Sequence, residues 1–158
     1  MLIVYIKNVV FLISIIIIFL FNQISLANLP INTSTIFSTM NQQEIKTIVD
    51  RQASAWESGD VETIIADFAE DGLFIAAKKQ FRGKQAIKTA AENYFSQYTT
   101  TKINIKRLII QNNSGAIEWD WSDRNWQTGV VSNAEDAIIF ELENNKIIYW
   151  REYINKVN

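Results

Sequence analysis

Apolar residues follow three different patterns along the chain. Positions 9–21 (VVFLISIIIIFLF) form an apolar run with Ser14 as its polar member. From about 42 to 97 the apolar spacing is helical, and from 102 onward it alternates. In the helical part, Ile45, Ile48, Val49, Gln52, Ala53 and Trp56 recur at three- and four-residue intervals and form one stripe. This predicts a helix beginning at Asn41 or Gln42 and ending at Ser58-Gly59. Asp60 is placed to cap a second helix, with Val61, Ile64, Ile65 and Phe68 as its buried side. Asp71-Gly72 predicts a turn, 73–77 a short strand, and Lys78-Lys79-Gln80 another turn before Phe81. Gly83 precedes a third helix over 84–97, with Ile87, Ala90, Ala91, Tyr94 and Phe95 inward.

The alternating part predicts strands over 102–111, 116–123, 129–143 and 146–156. Irregularities are expected near Arg107 and near Ser132-Asn133. Turns are expected at 112–115 and at Asn144-Asn145, with a loop around Asn125. Three helices, a small early hairpin and four long strands predict an α+β fold. The helices would cover one side of a curved antiparallel sheet.

The apolar run near the N-terminus changes the organisation of the chain. Lys7 precedes it, and residues 22–27 form a polar exit ending in Ser25-Leu26-Ala27. This predicts a secretory signal peptide over 1–27, cleaved after Ala27, and export to the periplasm or the extracellular space. No membrane contact is then expected of the remainder. The alternative is a retained anchor, in which residues 1–6 extend the run toward the roughly 20 residues of a membrane span. Residues 28–41 are polar and non-periodic and contain Pro30, which predicts a flexible linker before a domain over 42–156.

Composition narrows the chemistry. The 158 residues suit one domain plus a leader, and a net charge of −2 gives no reason to expect nucleic acid as a partner. There is no cysteine and no histidine. That excludes disulfides, thiolate metal sites, a Cys nucleophile and the Ser-His-Asp arrangement. Acid–base chemistry would fall to Asp, Glu, Tyr or Lys. No clustered carboxylate loop suggests a hard metal, and no cofactor is implied.

Alternation on the last strand sorts Ile148, Trp150, Glu152 and Ile154 to one face. A carboxylate among apolar neighbours is expected to have a raised pKa, the condition for an acid–base group at neutral pH. The alternative for Glu152 is a buried, purely structural ion pair with an arginine such as Arg82 or Arg124. Glu118 and Asp120 alternate with Trp119 and Trp121, and the pattern does not say which pair faces inward. Asp136 shares a face with Ile138, Phe140 and Leu142, so it is either an inward carboxylate or an exposed strand-start residue. Asp67, Glu70 and Asp71 read as solvated helix-end and turn residues. Arg82-Gly83 before a helix could favour an anion, or could simply form a turn and a salt bridge. The aromatic residues Trp56, Phe68, Phe74, Phe81, Tyr94, Trp119, Trp121 and Trp150 are candidates to line a cavity for a flat apolar ligand. Core and dimer packing is the competing use for each of them.

Four motifs occur in order: W-x-x-G-D-x-x-x-I-x-x-x-F-A-x-D-x-x-F, F-R-G-x-x-A-I, E-W-x-W and K-I-x-x-W-R-E-Y. Together they resemble the SnoaL-like branch of the nuclear transport factor 2-like superfamily over about 42–156. The resemblance implies a conical α+β barrel whose mouth lies between the helices and the concave sheet face, and a homodimer through the sheet. The superfamily includes polyketide cyclases, ketosteroid isomerases, limonene epoxide hydrolases, dehydratases and members with no known chemistry. In SnoaL-like cyclases an acid–base aspartate lies near this point of the last strand, which implies Glu152 as its counterpart, with Glu in place of Asp. The limonene epoxide hydrolase pattern would need an arginine that E-W-D lacks. The isomerase base would fall where this chain has Ile75, Ala76 and Ala77. The implied function is an exported domain binding a small, largely apolar molecule in a conical pocket. A cofactor-free cyclase, isomerase or dehydratase using Glu152 is the alternative, and a dimerising association module is a third reading.

Overall fold

A computed structural model describes residues 40–157. The expected signal peptide over 1–27 and most of the expected linker lie outside the described residues. Helix α1 spans Gln42–Ser58 and opens on a reciprocal cap. The Asn41 side chain accepts from the Glu44 backbone N–H at 2.9 Å, and the Glu44 carboxylate accepts from the Asn41 N–H at 3.1 Å. Gly59 ends the helix with φ 73°, a conformation that costs a side-chain-bearing residue energy. Asp60 then caps α2 (Val61–Asp67) by accepting from the Thr63 N–H. Helix α3 spans Lys84–Phe95.

Six strands follow or intervene: β1 (Phe68–Ala76), β2 (Lys79–Arg82), β3 (Tyr98–Gln111), β4 (Ser114–Asn125), β5 (Val131–Glu143) and β6 (Lys146–Val157). They form one curved, unclosed sheet in the order β2-β1-β6-β5-β4-β3. The fold is α+β, as the pattern predicts, but the sheet is mixed rather than antiparallel throughout. β1 runs parallel to β6, pairing Phe74 with Trp150. A parallel pair needs a long crossover, and everything from β2 to β5 supplies it.

Strand lengths and local irregularities follow side-chain packing. β5 alternates strictly, burying Ala134, Asp136, Ile138, Phe140 and Leu142, and it is not broken at Ser132-Asn133. Those two residues pair in register with Asp123 and Ser122 of β4. The expected irregularity in β3 does occur, between Ile105 and Arg107. A second one lies in β6, where Leu142 pairs with Ile147 but Glu141 pairs with Tyr149. The extra residue takes Ile148 out of the alternation, so Ile147 rather than Ile148 joins the buried face. Phe68 opens β1 instead of closing α2, and is buried all the same. Asp71-Gly72 lies within β1, where pairing to β6 is interrupted between Phe68 and Leu73. A Cβ on Gly72 would sit 2.8 Å from the Ile147 carbonyl oxygen, so only glycine allows that approach.

The helices pack their apolar stripes on the concave face. Ile45, Val49, Ile64, Ile87, Ile117, Ile138 and Phe140 form the centre of the core. Asp67 is not solvated, as its helix-end position suggests, but 4% exposed. The Arg51 Nε–H donates to both of its oxygens, at 2.9 and 3.0 Å, and Gln52 Nε2 donates to Oδ2 at 3.1 Å. Gln52 also donates to the Ile64 carbonyl at 3.1 Å, which explains a polar residue inside the α1 stripe. Among the described residues, no helix is long and apolar enough to cross a membrane.

Candidate functional site

Between the helices and the concave face lies a cavity of about 450 Å³. It exists because small side chains occupy positions that would otherwise fill it. Ala76 and Ala77 follow from β1, Ala90 from α3 and Ala134 from β5, and all four line the space. Aromatic rings form the walls: Trp56 from α1, Phe74 from β1, Phe81 from β2, Tyr94 from α3, Tyr98 from β3 and Trp121 from β4. Trp56 is the hub, with ring centroids 6.0 Å from Phe74, 5.7 Å from Tyr94 and 5.9 Å from Trp121. Phe74 stacks on Phe81 at 5.9 Å and Tyr94 on Tyr98 at 5.0 Å. Each such pair adds about 0.5–1.5 kcal/mol beyond burial, so the walls hold one another in place.

Of the eight aromatic candidates, Phe68, Trp119 and Trp150 are core residues that do not line the cavity. They are at most 2% exposed, and Trp119 packs against Trp150 at 5.9 Å. The reason is depth along the strand. Trp119 and Trp121 share the inward face, but Trp121 lies opposite Ala134, which leaves room beside it. Helical spacing through 97 gives Tyr98 no inward place, whereas the chain leaves α3 at Phe95 and opens β3 at Tyr98, beside the cavity.

The open question about β4 is resolved by this arrangement. With both tryptophans inward, Glu118 and Asp120 point outward and leave the site. Asp120 pairs with Lys106 at 2.8 Å, and that contact holds its pKa below the usual carboxylate range. Glu118 lies 3.7 Å from the Arg107 guanidinium.

Two other carboxylates do line the cavity floor. β5 and β6 pair Ile138 with Glu152 and Asp136 with Ile154, which makes Asp136 and Glu152 diagonal neighbours on the inward face. Asp136 is 4% exposed rather than exposed at a strand start. It accepts from the Asn155 backbone N–H at 3.2 Å. Burial raises its pKa, opposed by that N–H and by the Trp119 indole N–H. The indole acts from a distance, because Trp119 Nε1 is buried without a formed hydrogen bond.

Glu152 accepts from Trp150 Nε1 at 3.1 Å. It is only half-buried by surface, since the cavity opens onto it, yet it lies deep within the surrounding protein. Burial pushes its carboxyl up to about 8, the Trp150 bond opposes the shift, and the charge on Asp136 adds to it. The structural alternative for Glu152 fails on geometry. Arg82 donates to the Asp71 carbonyl at 3.2 Å and Arg124 to the Gly129 carbonyl at 3.0 Å, and among the described residues no arginine forms an ion pair with Glu152. The Gly83 N–H is likewise taken by the Gly72 carbonyl at 2.8 Å, which leaves Arg82-Gly83 as a turn.

A third carboxylate, Asp123, was missed. It is 7% exposed and lines the cavity two residues beyond Trp121. Its Oδ2 accepts from Trp121 Nε1 at 3.0 Å and from the Tyr94 hydroxyl at 3.1 Å, while Oδ1 is buried without a partner. The Tyr94 hydroxyl also lies 2.9 Å from Thr101 Oγ1. Burial, with a smaller effect from the Asp123 charge, raises the Tyr94 pKa, so the hydroxyl stays protonated. The signal for Asp123 was the alternation Trp119, Trp121, Asp123, which ended at the expected strand terminus. Among the described residues, no group of three or more metal-ligating side chains occurs.

A family model described as SnoaL-like domain matches residues 49–150. No curated protein matches the sequence. Several solved structures share the architecture. A LEH-like epoxide hydrolase from M. tuberculosis is 17% identical, with a TM-score of 0.64 over 72% of this chain and 84% of that one. A putative polyketide cyclase from Xanthomonas campestris pv. campestris is 16% identical, with a TM-score of 0.64 over 73% and 93%. A hypothetical protein of ketosteroid isomerase-like fold from Catenulispora acidiphila, solved in complex with trimethylamine, is 17% identical, with a TM-score of 0.63 over 67% and 83%. At such identities the likeness shows the fold.

Proposed function

The chain belongs to the SnoaL-like domain family, and on that premise we propose that it binds a small, largely apolar molecule in the aromatic cavity. The polar end of that molecule faces Asp136 and Glu152. One observation carries this reading: with no cationic partner among the described residues, Glu152 opens onto a space of about 450 Å³ walled by rings. That volume lies within the range of small-molecule sites, and the mixture of aromatic wall and few polar groups is the composition such sites have. Trp56 and Trp121 lie in the wall, so occupancy should change the intrinsic fluorescence of the protein. A screen of small apolar compounds is expected to find saturable quenching together with a raised melting temperature. If no compound gives either signal, the reading is wrong.

A second reading is favoured by the neighbouring carboxyl groups. Both have raised pKa values, and Glu152 holds its proton near neutral pH. A protonated Glu152 would act as general acid toward a carbonyl or hydroxyl oxygen, with Asp136 as the acceptor of a second proton. Turnover that Glu152→Gln abolishes, with ligand binding retained, would establish chemistry; binding without turnover leaves the first reading.

Two further features complete the proposal. The apolar run and small-residue exit before Ala27 support export, which fractionation of the expressing cell tests. The outer sheet face supports a homodimer, because Ile109, Ile139 and Tyr153 are exposed there.

A further inference from the structure

The cavity contains carboxylates that the rest of the protein does not balance. Asp123, Asp136 and Glu152 all line it, and among the described residues none of them forms an ion pair. Carboxylates elsewhere are treated differently: Asp67 is paired with Arg51, and Asp120 with Lys106. Asp123 is more than nine-tenths buried, and among the described residues one of its oxygens has no hydrogen-bond partner. A buried carboxyl group without a cation is costly, and it is relieved either by a proton or by a cation from outside. Lys79 and Lys156 also line the space, but their exposed side chains make no ion pair with the three acids.

The remaining wall favours the second form of relief. Rings of Trp56, Phe74, Phe81, Tyr94, Tyr98 and Trp121 surround the space. An aromatic face presents negative potential, and a set of faces around an apolar cation attracts it strongly once water is excluded. We infer that the ligand of this cavity is a small organic ammonium ion, with alkyl groups against the rings and its charge set against the neighbouring pair Asp136 and Glu152. This rests on the reading that the cavity binds a small, largely apolar molecule, and it specifies the charge of that molecule. An anion would meet the acids, and a neutral hydrocarbon would leave those that are ionised uncompensated.

The proton on Glu152 gives the inference a signature. In the empty cavity burial holds that proton up to about 8. A cation beside the carboxyl favours the ionised form, so binding below that pH releases a proton. Affinity for a cation that does not itself titrate therefore rises with pH. The other charged or titratable groups facing the cavity are Lys79 of β2, Tyr94 of α3, Tyr98 of β3, Asp123 of β4, Asp136 of β5 and Lys156 of β6. A variant confined to Glu152 separates its share from theirs.

The test is calorimetric titration of the full chain with two quaternary ammonium ions, choline and benzyltrimethylammonium. Each is compared with its uncharged carbon counterpart, 3,3-dimethylbutan-1-ol and neopentylbenzene. At about pH 9 at least one cation is expected to bind about tenfold tighter than its counterpart, with the margin shrinking toward about pH 6. Glu152→Gln should weaken the cation by a larger factor than its neutral counterpart and remove most of the cation's pH dependence. Asp136→Asn, also checked for folding by circular dichroism, should weaken the cation by a similar factor. Counterparts that bind as tightly as both cations would overturn the ammonium inference and leave the apolar-ligand reading standing. Binding of none of the four would count against both.

Discussion

Glu152 couples folding to pH through the same burial that sets it apart chemically. Its carboxyl titrates near 8 in the folded protein, against 4.5 as its ordinary value. Between those values the native state binds more protons than the unfolded state, so stability falls as pH rises. The contribution is fully present below about 4.5 and lost once pH has passed about 8. The slope cannot exceed about 1.4 kcal/mol per pH unit for one group. Glu152→Gln keeps the shape and removes the ionisation. Denaturant unfolding of the variant should therefore lack this slope and show greater stability than the parent at about pH 9. Equal pH profiles for the two proteins would mean that the carboxyl is solvated. The position of Glu152 on the inward face was legible from alternation alone. Its freedom from arginine was not, because loop geometry decides that Arg82 and Arg124 reach the Asp71 and Gly129 carbonyls instead.

Among the elements, the junction of α1 with α2 is held by a polar cluster within the core. Arg51 and Gln52 of α1 both donate to Asp67 at the end of α2. Asp67→Ala would leave the Gln52 amide, which is 1% exposed, with one partner fewer and would free Arg51. A loss of about 1–3 kcal/mol is expected, measurable as a shift in the urea midpoint without a change in slope. A loss near zero would show that the cluster is replaceable. Periodicity revealed the helices and the buried faces of the strands, since it reports which way each side chain points. It says nothing of which strands are neighbours, so the parallel pairing of β1 with β6 could not be read. The extra residue at Ile148 was equally hidden, because Ile147 and Ile148 offer the same chemistry to either face.

At the scale of the whole molecule, the sheet has two unlike faces. The inner face carries the core and the cavity. On the outer face Ile109, Ala116, Ile139 and Arg151 lie across four adjacent strands in register. The Arg151 guanidinium rests over the Tyr153 ring at 4.8 Å. If this face joins two copies, Ile139→Glu should convert a dimer to a monomer by light scattering. Ile139 is 41% exposed in the single chain, so its folding stability should change by only about 0.5 kcal/mol. A parent protein that is monomeric at all concentrations would rule the dimer out. The aromatic richness of the sequence pointed to a hollow, but its location depended on Ala76, Ala77, Ala90 and Ala134 converging from separate elements. Alanine has no periodic signature of its own that marks such a convergence.

The C-terminal strand β6 lies inside the sheet, between β1 and β5. During synthesis it leaves the ribosome after the other five strands, yet it joins the first hairpin to the three strands made after that hairpin. The nascent chain therefore has neither a complete cavity floor nor a complete sheet until β6 emerges. Pairing partners this far apart in sequence also make closure slow. A stop codon placed before Lys146 would therefore part β1 and β2 from β5, β4 and β3 rather than trim one edge of the sheet.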